Sequence, residues 1–275
     1  MTNLIHQQRK LDRITRKWWF FGLFFLIQFI PPYASKGYKI EDWGKVIQHA
    51  LGNAIVYKHP EIYPIFQVIA ILAIIGILVL GNKFARVFGI YVAISYVLFA
   101  IGQSIAFTDK YGVSMCPINL VMFLIVAGFW AWEAVVLQND YTLRKLPIWR
   151  YWVVPLAILA FWAPSSRGRP DFNPILLVTN GSGLGFCLMT PVYLALLSLY
   201  WPRVNIPAMR VTSLVGLIIG LYNMCTNFGI NPAGRWWNGV LHIPLLVISL
   251  YGLILSLKRP KGQKQADEKA ESCEG

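Results

Sequence analysis

Glu133, in the run Trp130-Ala131-Trp132-Glu133, is the only carboxylate well inside a long apolar stretch of this chain. Burial in hydrocarbon favours the protonated acid, so such a group can couple proton movement or act as an acid/base. Trp130 and Trp132 beside it could shape a pocket or stabilise a developing cation. Counted at about 1.5 Å per residue from Gln138, Glu133 sits roughly 7 Å inside one end of its helix. From there it can also snorkel or pair with Arg144 or Lys145, a purely structural role.

A second set of polar residues falls near the opposite ends of the apolar runs: Gln103, Asn119, Asn180, Asn223, Thr226 and Asn227, with His49 and His242 at similar depth. Amides and hydroxyls bind a neutral or zwitterionic solute without the cost of burying a charge, and they also hold helices together. Cys116, Cys187 and Cys225 share that depth with Met115, Met189 and Met224. These ligand types suit soft ions, but no tight ligand spacing exists, so no metal is expected. A haem between His49 and His242 would need both on facing spans, and only His242 lies in one. No cofactor is expected.

Other chemistries lack their motifs. There is no Gly-Lys-Ser/Thr phosphate loop, no His-Glu-x-x-His and no Gly-x-Ser-x-Gly elbow, and Gly181-Ser182-Gly183-Leu184-Gly185 has no nucleotide-binding context.

The elements that must position these groups are membrane helices. Hydrophobic residues make up 56% of the chain and charged ones 13%, with a mean hydropathy of +0.53. Eight apolar runs, near 18–33, 64–80, 86–107, 116–138, 149–163, 183–201, 211–228 and 239–257, approach the roughly 17 to 25 residues that a span needs. They lack the alternation of a barrel strand. The expected fold is an all-α polytopic membrane protein with eight transmembrane helices. The basic stretch before the first run and Ala34-Ser35 after it imitate a secretory signal, but its Trp and Phe content and its echo at the fifth run favour an uncleaved anchor.

That echo points to an internal repeat. Lys17-Trp18-Trp19, an apolar run, Pro31 and Ser35-Lys36-Gly37 recur as Arg150-Tyr151-Trp152, an apolar run, Pro164 and Ser166-Arg167-Gly168. Arg86-Val87 opens the third run as Arg210-Val211 opens the seventh. The organisation is a basic tail over 1–17, a first four-helix half over 18–138, a second over 139–257 and a charged, disordered tail over 258–275. Because each half is even in spans, the 4+4 internal repeat is parallel. Within the first half, an amphipathic segment over 38–57 should lie on the outer surface or cap the bundle. Around 180–185 the glycines allow a broken sixth helix.

Of the 25 Lys and Arg, 17 fall on the side that holds both termini, which places the termini in the cytoplasm. This distribution explains the net charge of +13 without nucleic acid. The membrane's own lipids are the first partners expected, with a small-molecule or lipid-like substrate and a protein partner or second copy beside them. Three functions compete. The first is a small-solute permease with an outward-accessible polar cavity between the halves and Glu133 coupling. The others are an enzyme on a lipid-like or isoprenoid substrate with Glu133 as acid/base, and a non-catalytic membrane subunit or assembly factor.

Overall fold

A computed structural model describes residues 2–143, 145–230 and 232–258. Arg144, one expected partner of Glu133, and nearly all of the tail expected to be disordered lie outside the described residues. The basic N-terminal stretch is a helix, α1 (Thr2–Thr15), and a short apolar helix, α2 (Trp18–Ile27), follows it. The chain then reaches β1 (Tyr33–Ala34) and α3 (Trp43–Gly52). Next come α4 (Tyr63–Leu80), α5 (Ala85–Ser104), the hairpin β2 (Ile105–Thr108) and β3 (Gly112–Met115), and α6 (Pro117–Val136).

The second part opens with α7 (Val153–Trp162), β4 (Ser165–Ser166), β5 (Arg169–Pro170) and the single turn α8 (Leu176–Thr179). It closes with α9 (Phe186–Tyr200), α10 (Ile206–Met224) running into a π-turn over Cys225–Ile230, and α11 (Pro232–Leu257).

Among the described residues, five helical stretches are long and apolar enough to cross a membrane: Pro60–Lys83, Ala85–Ser104, Pro117–Val136, Ile206–Ile230 and Gly234–Leu257. Leu176–Leu184 and Phe186–Tyr200 form a pair bent by 93°, which makes a sixth if the two count as one span. The chain is therefore a predominantly helical, multi-pass membrane protein. The remaining two expected spans coincide with shorter apolar helices, Trp18–Ile27 and Ile148–Trp162. Ten residues rise about 15 Å, half of a hydrocarbon core.

Close approach between helices is set by small residues, as packing without a hydrophobic driving force requires. Gly216 and Gly220 of α10 face α11 so closely that a Cβ on Gly216 would stand 2.3 Å from Ser249 Oγ, and one on Gly220 3.1 Å from Leu246 Cα. Gly89 of α5 meets α6 in the same way, 3.2 Å from Ala134 Cα. Between these pairs lies an aromatic core. Phe88, Tyr96, Phe99, Trp130, Phe186 and Tyr193 are fully buried. Edge-to-face contacts join many of them, and Phe123 stacks on Phe186 at 4.0 Å. Their polar atoms find partners: Trp130 Nε1 donates to Thr212 Oγ1 (3.1 Å), and Tyr96 OH bonds Thr190 Oγ1 (3.0 Å).

One end of the bundle is closed by an antiparallel sheet of order β1-β3-β2 with α3 laid on it. Val46 and Ala50 are the buried face of α3, so the amphipathic segment caps the bundle. At the opposite end, α1 meets the end of α11 where Arg16 Nη1 donates to Leu257 O (3.1 Å).

Candidate functional site

At the α1 end, α6 stops because Leu137 takes a left-handed conformation (φ 51°), and its N–H returns to Glu133 O at 2.8 Å. The reversal swings the next two amides over the Glu133 carboxylate. Asn139 N donates to Oε1 (2.8 Å) and Gln138 N to Oε2 (3.3 Å), and the Asn205 amide adds a bond to Oε2 at 2.7 Å. Glu133 is 2% exposed. It does not snorkel, and among the described residues it forms no ion pair.

The bonds continue outward from it. Asn139 Oδ1 accepts from Asn205 N (2.7 Å), and Asn139 Nδ2 donates to Tyr141 OH (3.0 Å). Asn205 Oδ1 caps α10 through Ala208 N (3.2 Å) and accepts from Gln8 Nε2 (2.9 Å). Gln8 Oε1 in turn accepts from Trp132 Nε1 at 2.7 Å. The network thus fastens α1, α6, its exit loop and α10. Every partner of the carboxylate is a donor, which an ionised acid needs, and those donors are the protein's own.

Two further latches share this end. Arg210, fully buried, donates to Asp12 Oδ1 (2.9 Å), Thr15 Oγ1 (2.5 Å), Asp12 O (3.2 Å) and Ser256 O (2.8 Å). Asp140 pairs with Arg203 and accepts from Asn82 Nδ2 (2.9 Å) and Thr142 N (3.0 Å). Hydrogen bonds from Thr142 and Asn82, with Arg203 beside them, hold the Asp140 carboxyl well below the usual carboxylate range.

The outer polar residues divide into two groups rather than one. Gln103 and Asn180 organise the broken helix: Gln103 Oε1 accepts from Phe186 N (3.2 Å), and Asn180 Oδ1 from Ser182 N (2.8 Å), while its amide reaches Phe161 O and Trp162 O. Gln67 of α4, fully buried and not anticipated, accepts from Gly183 N at 2.8 Å. The amides of Ser182, Gly183 and Phe186 at this break are therefore taken by side chains of the protein itself.

The second group runs along α10 and α11. Asn223 Nδ2 donates to Ile219 O (2.9 Å) and approaches Cys187 Sγ (3.7 Å), and Asn227 Nδ2 donates to Asn223 O (2.8 Å). Asn238 Nδ2 donates to Asn227 Oδ1 (3.0 Å), and His242 Nδ1 lies 2.6 Å from Asn238 O. Thr226 Oγ1 donates back to Tyr222 O at 2.8 Å. Asn119 is half-buried, and His49 lies in the cap, edge-on to Tyr111 at 5.0 Å. Cys116, Cys187 and Cys225 are free thiols, and among the described residues no three His, Cys, Asp or Glu side chains converge as metal ligands.

A concavity lies elsewhere, on the flank of the bundle. Between α5 and α6 runs a groove of about 560 Å³ lined by Arg86, Ile90, Ala93, Ile94, Ala131, Ala134 and Val135. The close approach of Gly89 to Ala134 brings the helix axes together, alanines form the floor, and Ile90, Ile94 and Val135 stand exposed as walls. Its size is that of a small-molecule site, roughly 300 to 1,000 Å³. Apart from Arg86 its lining is apolar. The chain matches no family model, no curated protein and no solved structure.

Proposed function

We propose that this chain is an eight-span membrane protein of two parallel four-helix halves, both termini cytoplasmic, that binds a lipid-like ligand from the side in the α5–α6 groove and catalyses nothing on it. The groove carries the reading. It is apolar and opens on the flank, whereas Glu133, Gln103, Asn180, Asn223 and Asn227 already hold partners within the protein.

Several observations support the architecture. α2 carries the chain from the α1 end to the sheet, and α7 carries it from Arg150, whose Nη1 donates to Trp201 O (2.9 Å), to Pro164, whose carbonyl accepts from Trp237 Nε1 (2.8 Å). The Ser-Lys-Gly turn follows β1 and the Ser-Arg-Gly turn begins on the last residue of β4, and both end in a glycine of positive φ, 73° at Gly37 and 77° at Gly168. α5 with α6, and α10 with α11, are the most closely packed pairs of their halves. The excess of basic residues at the α1 end favours the cytoplasm for both termini.

Native mass spectrometry of the purified chain tests the function. The wild type should retain a lipid-sized mass, and Ala131→Phe, which fills the groove floor, should lose it. Equal retention would overturn the reading.

A permease remains the second reading because one observation favours it: the 93° break before α9 and the π-turn after α10 are interruptions of the kind that transporters place at substrate sites. Solute uptake into proteoliposomes that Asn227→Ala abolishes while the fold is kept would move the function from the flank to that position.

A further inference from the structure

Arg86, at the start of α5, and Arg210, in the second turn of α10, are each followed by valine, yet they are treated oppositely. Arg210 is fully buried, and its guanidinium donates to a carboxylate oxygen of Asp12, the hydroxyl of Thr15 and the main-chain carbonyl of Ser256. Helix α1 supplies the first two of these. Arg86 is exposed and has no hydrogen-bond or ion-pair partner among the described residues. It stands at the mouth of the α5–α6 groove, with Lys83 exposed three residues before it. One guanidinium has an anion supplied by the chain; the other faces an apolar trough and lacks one.

We infer that the groove takes an anionic phospholipid, its phosphate against the Arg86 guanidinium and one acyl chain between α5 and α6. The inference rests on the groove reading above and adds the head-group chemistry to it. A guanidinium presents a planar fork that matches phosphate oxygens in pairs, and on the basic side of a membrane protein anionic head groups are the nearest source of phosphate. The alanine floor at Ala93, Ala131 and Ala134 leaves room for a chain that larger side chains would close, and the exposed Ile90, Ile94 and Val135 flank it. The ligand therefore meets one charge at one end and hydrocarbon along the rest, which is the distribution of a phospholipid rather than of a polar solute.

The full chain, reconstituted in vesicles of equal phosphatidylcholine and phosphatidylglycerol and then examined by native mass spectrometry, separates the possibilities. Wild type should retain phosphatidylglycerol over phosphatidylcholine by about fivefold, the preference that one basic residue near the surface confers. Arg86→Gln should bring that ratio close to one without changing the number of lipids bound, and Arg86→Lys should keep most of it. A wild type without head-group preference, or an Arg86→Gln chain with the preference intact, overturns the inference and leaves the groove reading standing. Undiminished lipid binding by Ala131→Phe overturns the groove reading, and the inference with it.

Discussion

Three donors converge on Glu133, and this decides what a substitution there does. Glu133→Ala leaves the Asn139 and Gln138 amides and the Asn205 side chain unpaired in a buried place, and should cost about 3 kcal/mol, read as a lower thermal unfolding midpoint in detergent. Because Asn205 belongs to the same network, Glu133→Ala and Asn205→Ala together should cost less than the sum of the two, with a coupling of about 1 kcal/mol or more in a double-mutant cycle. A coupling carboxylate would instead lose function with stability unchanged. Asp140 gives the pH dependence. Its folded carboxyl titrates below the ordinary value of about 4, so its contribution is complete above that value and disappears as pH falls through the lower folded one. Stability should therefore decline below about pH 4 in wild type, and Asp140→Asn, with its starting stability reduced, should show a shallower decline across the same window.

At the scale of elements, sequence periodicity finds helices more readily than it finds what pins them. The long apolar runs read directly as α4, α5, α6, α10 and α11, because uninterrupted hydrocarbon leaves the helix as the only way to satisfy the backbone. The hairpin β2–β3 was hidden, since Ile105, Ala106 and Phe107 continue the apolar run of α5 without a break. Its signal was Gly112, with φ 66°, where a Cβ would lie 2.2 Å from Ser35 Oγ and push β1 off the sheet. Helix α1 was readable only as a basic tail. Its docking face, Gln8, Asp12 and Thr15, has helical spacing, but nothing in sequence marks Asn205 and Arg210 as the receiving residues. Glu133 stood out because it is a carboxylate in an apolar run; its role depends on the αL turn at Leu137 and on a loop some 70 residues away, which spacing does not encode. Gly183 offers the element-scale test. A Cβ there would come within 2.7 Å of the Phe66 carbonyl carbon and oxygen, so Gly183→Ala should destabilise the break before α9 by about 1 to 3 kcal/mol and expose it to proteolysis.

The whole molecule has a closely packed interior and a groove on its flank. The aromatic core is filled by interlocking rings, the α1 end is bolted by three polar latches, and the cap seals the other end. In the proposed function the ligand enters the trough along α5 and α6, on the flank of the bundle. Cysteines introduced singly at the exposed Ile5 and Lys258 should both react with an impermeant maleimide only from the cytoplasmic side, as two even halves require. The most direct test of the central claim is photolabelling with a phospholipid that carries a diazirine in its acyl chain, followed by peptide mapping. Labels concentrated on residues 90–94 and 131–135 are predicted, with loss of that concentration in Ala131→Phe; labels spread evenly around the bundle's lipid-exposed helices would contradict it.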